Sequence, residues 1–73
     1  MAENADELNK LAAIANDYEM VSDIRLKAME HIGRMGSPEA LRLMLDLAAN
    51  ERLPVEEREL ALKYARDIIR AGY

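Results

Sequence analysis

Residues 36–39 read Gly-Ser-Pro-Glu, and few four-residue stretches restrict a chain more tightly. Ahead of them Ile24, Ala28, Ile32 and Met35 recur at helical spacing, and behind them Leu41, Met44, Leu45 and Ala48 do the same. Gly36 stands where a helix ends, because glycine reaches the left-handed conformation without a Cβ penalty. Ser37 then suits the N-cap and Pro38 the first helical position, where its missing N–H would have had no partner. Glu39 complements the positive end of the helix dipole. The pair Gly33 and Gly36 also invites a reading as a phosphate-gripping loop. Such a loop needs a strand before it and Gly-Lys-Ser/Thr after it, and neither is present. The stretch is therefore a corner, and two helices joined this closely fold back as an antiparallel hairpin.

The same signals predict the remaining elements. A first helix starts near Asn4, an N-cap with Glu7 three residues on as in a capping box, and fades at Asn16-Asp17. Its stripe is Leu8, Leu11, Ala12 and Ala15, with Ile14 at the flank. The second helix starts at Ser22-Asp23 and ends at Met35; the third runs from Ser37 to Asn50-Glu51-Arg52. The fourth begins around Pro54, read as its first residue, carries Glu56 and Glu57 in its first turn and closes at Gly72. Leu60, Ala61, Tyr64, Ala65 and Ile68 mark its main face, and Leu62 and Ile69 widen the apolar surface to about 200° of the circumference. A terminal helix that broad needs a cover, from the first helix or from a second chain.

Composition sets the class. The 73 residues suffice for one domain, and 51% apolar with 33% charged residues is a globular balance. Phe and Trp are absent, so the core falls to Leu, Ile, Met and Ala. Cysteine is absent as well, which removes disulfides and thiolate chemistry. No apolar run approaches the roughly 20 residues that span a bilayer. The opening MAENADELNK is polar and acidic, unlike a secretory signal. These features lead to the expectation of a soluble cytoplasmic protein with no membrane partner. A net charge of −4 opposes non-specific nucleic-acid binding, which depends on neutralising phosphates.

Shifted by 33 residues, the sequence matches itself. Leu8, Leu11, Ile14 and Ala15 fall on Leu41, Met44, Leu47 and Ala48; Arg25 falls on Arg58, Ala28 on Ala61, Met29 on Leu62, His31 on Tyr64 and Met35 on Ile68. A period of this size with paired helices is the signature of a helical solenoid. The stretch IRLKAMEHIGRMGSPEALRLMLDLA resembles a HEAT-like repeat of the type found in phycobilisome lyases. It carries Ile24-Arg25 at the start of the inner helix, Ala28, apolar-Gly pairs at Ile32-Gly33 and Met35-Gly36, and Pro38-Glu39-Ala40 at the next helix. The second unit, LPVEERELALKYARDII, keeps Arg58 and Ala61 but has Arg66 and Ile69 where the first has glycines. The resemblance implies two repeats, about 4–36 and 37–73, with inner helices lining a concave protein-binding surface. It also implies that Arg25 and Arg58 cap or bridge to the neighbouring repeat.

Reaction chemistry finds little footing. Ser22 and Ser37 stand at N-cap positions, and threonine is absent. His31 is the lone histidine, mid-helix, with no second imidazole to share a metal. Asp6-Glu7 and Glu56-Glu57 lie in first turns, where the dipole favours acids. Asp6/Lys10, Glu30/Arg34 and Glu59/Lys63 are spaced for i, i+4 pairing. No catalytic, metal or cofactor site is expected.

The sequence thus predicts an all-α fold of four helices arranged as two stacked antiparallel hairpins, a right-handed HEAT-like α-α superhelix. The expected function is non-enzymatic protein–protein interaction or assembly, with an unidentified protein partner and homodimerisation as a further possibility. The candidate surface comprises Arg25, Lys27, Glu30, His31, Arg34, Leu62, Lys63, Tyr64, Arg66 and Ile69, with Asp67 and Arg70 on its flank. His31 and Tyr64 share a repeat position, and interface contact and interhelical packing are both open for them. The alternative is an accessory or regulatory subunit of an enzyme that holds a small anionic ligand near His31 and Arg25.

Overall fold

Gly36 adopts φ 60° and ψ 21°, the left-handed geometry that ends a helix. One residue later the Ser37 hydroxyl accepts a hydrogen bond from the Ala40 N–H at 3.0 Å, and the next helix begins at Pro38. The corner is built as the local rules require. A computed structural model of the chain describes the backbone of residues 2–72 and the side chains of residues 6–72. It contains four helices, α1 (Ala2–Ala15), α2 (Ser22–Met35), α3 (Pro38–Ala48) and α4 (Val55–Arg70), with no strand among the described residues. No helix among these residues is long and apolar enough to cross a membrane.

Three helix starts differ from expectation. The first helix begins at Ala2, so Asn4 lies within it, and the Asn4 side chain falls outside the described residues. Ser22 is the first residue of α2 rather than its cap; Val21 occupies the cap and has no side-chain hydrogen bond to give. Pro54 takes the N-cap of α4, one position earlier than the first helical residue.

Helix α1 packs on α2 and α3 packs on α4, and the two hairpins stack through contacts of α2 with α3 and α4 and of α1 with α3. This is the stacked-hairpin arrangement of an all-α fold. Met29, Ile32, Met44 and Leu47 are the largest fully buried side chains, joined by Leu8, Ala15, Ala28, Ala40, Leu53, Ala61, Ala65 and Ile68. Small residues at 15, 28, 40, 61 and 65 let the helices approach, and methionine fills what aromatic rings would otherwise occupy. The molecule measures 30 × 25 × 17 Å, so its thinnest dimension holds two helix layers.

Two inward assignments fail. Ile24 is exposed, and its neighbours Arg25 and Met29 turn inward instead. Leu45 is exposed, while Leu47 and Ala40 are buried. In both helices the stacking of the second hairpin rotates the buried face away from the centre of the apolar stripe.

Candidate interaction surface

At the end of the molecule where the α1–α2 and α3–α4 loops meet, polar side chains tie the hairpins together. Arg25 on α2 donates from Nε to Glu57 Oε1 and from Nη2 to Glu57 Oε2, both at 2.8 Å. Its Nη1 reaches the carbonyls of Asp17, Tyr18 and Met20 in the α1–α2 loop. The Ser22 hydroxyl donates to Glu57 Oε2 at 2.6 Å. Arg25 and Glu57 are both buried, and the pairing is the forked geometry in which guanidinium and carboxylate bind most strongly. Hydrogen bonding from Arg25, reinforced by Ser22, holds the Glu57 carboxyl below the usual carboxylate range against the opposing effect of burial. Beside this clamp Asn50 Nδ2 donates to Asn16 Oδ1 at 3.0 Å, and the Arg52 guanidinium lies over the Tyr18 ring at 5.2 Å. Arg58, at the repeat position of Arg25, donates to the Ala48 carbonyl at the end of α3.

The clamp corrects one member of the expected surface. Arg25 is not available to a partner or to an anionic ligand, because burial and these acceptors engage its guanidinium. Lys27, Glu30, His31 and Arg34 on α2, and Lys63 and Arg66 on α4, are exposed. Of the three charge pairs expected from spacing, Glu30–Arg34 closes at 2.9 Å among the described residues.

Tyr64 is partly buried and belongs to the rim of the core. A Cβ on Gly33 would lie 3.0 Å from its Cδ1 and 3.2 Å from its Cγ, so the ring rests on the bare backbone of α2. Burial, and after it the charge of Glu30, pushes the phenol above its ordinary range. Tyr64 is thus a packing residue at the contact of α2 with α4, whereas His31, its repeat counterpart, is exposed.

Among the described residues the apolar width of α4 meets no cover, and α1 makes no contact with α4. Leu62 and Ile69 are each 50% exposed, Val55 58% and, on α3, Leu45 47%. The Arg58 contact with the Ala48 carbonyl ties the start of α4 to the end of α3. Val55, Leu62 and Ile69 share one exposed stripe of α4, and Leu45 is exposed on α3, the helix packed against it. Of their counterparts 33 residues earlier, Met29 (for Leu62) and Ala12 (for Leu45) are buried on the first hairpin, whereas Ser22 (for Val55) is exposed and Gly36 (for Ile69) is half-buried.

A depression of ≈ 210 Å³ between α1 and α3 is lined by Leu8, Asn9, Glu39, Arg42 and Leu43, without His31. Among the described residues no three His, Cys, Asp or Glu side chains gather as a metal site. Comparison with protein-family models, with curated proteins and with solved structures gives no match.

Proposed function

We propose that the chain is a non-enzymatic protein-interaction or assembly module built from two HEAT-like helical hairpins. The observation that carries this reading is the open face of α3 and α4. Val55, Leu62 and Ile69 stand half-exposed along one stripe of α4, with Leu45 half-exposed on α3, and among the described residues no helix other than α2 and α3 contacts α4. Aligned apolar exposure of this kind marks binding surfaces in small proteins. A helix or groove of a partner is the natural complement to a stripe at helical spacing. The charged residues on the exposed side of α2 and α4, Lys27, Glu30, Arg34, Lys63, Arg66, Asp67 and Arg70, mix signs, which suits a protein surface better than a phosphate backbone. The small-anion alternative has no observation in its favour, because Arg25 is committed to Glu57.

Site-specific photo-crosslinking in the source cells tests the reading. A photoreactive residue at position 62 is expected to give a discrete protein adduct, and one at position 27 little or none. Adducts from position 27 alone would move the interface to the exposed side of α2, and silence at both positions would remove the proposal.

A further inference from the structure

We infer that the open face binds a second copy of this chain, α4 against α4 in antiparallel sense, with a two-fold axis at Leu62. This deepens the interaction-module reading and rests on it. Val55 and Ile69 stand seven residues before and after Leu62. At 100° per residue each lies only about 20° around the helix from Leu62, so the three share one stripe. Turned end for end about Leu62, the stripe meets itself: Leu62 on Leu62, Val55 on Ile69 and Ile69 on Val55.

The charges on the stripe obey the same symmetry. Glu59 lies three residues before Leu62 and Arg66 four after it, and both are exposed. The antiparallel pairing brings each Glu59 to the partner's Arg66, twice per dimer. A parallel pairing would set Glu59 on Glu59 and Arg66 on Arg66, so charge selects the two-fold arrangement.

Arg66 also decides against the other use of this face, continuation of the array by the first hairpin of another copy. In the observed stacking Gly33 leaves the space that the Tyr64 ring fills, with 3.0 Å to a built Cβ. The residue at the equivalent place on the second hairpin is Arg66, and the residue that would approach it is His31. A long cationic side chain stands where the stacking needs bare backbone. The face is closed to head-to-tail growth and open to its own mirror in sequence.

The dimer is modest in size. The 16 residues of α4 extend about 24 Å, and two helices side by side present a face about 20 Å wide. A standard interface takes about 800 Å² from each partner, roughly a sixth of the 5023 Å² this chain exposes. A face somewhat smaller than that falls in the size class of weak, reversible interfaces.

Sedimentation equilibrium on the full chain, over about 5–500 µM, reads this out. The expected result is a reversible monomer–dimer equilibrium with a midpoint within that range. Leu62→Glu should be monomeric throughout with an unchanged helical spectrum, since Leu62 is half-exposed in the monomer. Glu59→Arg and Arg66→Glu should each weaken the dimer by about threefold or more, and the double exchange should restore it. A wild-type chain that stays monomeric, a dimer indifferent to Leu62→Glu, or a double exchange without rescue would overturn the inference. A monomer that still crosslinks from position 62 to a different protein would overturn the second copy while leaving the module reading intact.

Discussion

Arg25 closes a circuit of acceptors that no neighbouring residue on α2 could replace. Two of its nitrogens hold the Glu57 carboxylate and a third holds loop carbonyls, so one guanidinium fixes the α1–α2 turn and joins the hairpins. Removing one member of a buried ion pair leaves the other charge without compensation. Glu57→Gln should therefore cost about 2 kcal/mol at pH 7, below the range for fully interior pairs because Ser22 beside it is exposed. The pH dependence has a definite sign. The folded carboxyl is held below its unfolded value of about 4.3. Its contribution is fully present above that unfolded value and is lost as pH falls through the folded one. Urea melts of wild type and Glu57→Gln should differ at pH 7, and the gap should narrow steadily as the pH falls below the unfolded value; a constant gap would show that the carboxylate charge is not the source. Sequence reading found the arginine, through its recurrence at 25 and 58, and missed its acceptor. The signal was present: Glu57 occupies the place that Ile24 holds in the first unit, an acid in an apolar slot two residues from the helix start. Its position in a first turn offered a sufficient local explanation, and the long-range partner was thereby hidden.

Between elements, the contact of α2 with α4 turns on one missing side chain. Alanine at 33 gains helix propensity of up to about 1 kcal/mol over glycine. That gain is opposed by a Cβ 3.0 Å from Cδ1 and 3.2 Å from Cγ of the Tyr64 ring, closer than ordinary van der Waals contact, so the ring must shift. Gly33→Ala should therefore destabilise the wild type by about 1 kcal/mol and stabilise a Tyr64→Ala background by about 0.5–1 kcal/mol. A thermal-melt double-mutant cycle measures the change of sign, and additivity would refute the packing account. Local signals made the corner at Gly36-Ser37-Pro38 readable, because every determinant lies within four residues. The facing of α2 and α3 was less readable. Ile24 and Leu45 belong to apolar stripes yet lie outside, since stripes wider than one contact leave tertiary stacking to choose which edge is buried.

At the scale of the whole molecule, two layers of helix give every element a solvent side, and the 17 Å thickness leaves little depth for an enclosed reaction chamber. The all-α class and the two hairpins followed from period and punctuation. The breadth of α4 was legible too, as a helix too greasy for its position; that the described residues of α1 make no contact with it needed the packing itself.

Because the charged staple runs from Arg25 to Glu57, it belongs to neither hairpin. A scission between Gly36 and Ser37 would strand a buried cation on one fragment and its counter-ion on the other, and would bare Met29 and Leu47 together. Fragments 1–36 and 37–73 should be mostly unstructured apart, since isolated helices of this length are marginal in water. Mixed in equal amounts, they should regain ellipticity. A chain nicked at that joint should then stay folded as a two-fragment complex, with a stability that depends on concentration.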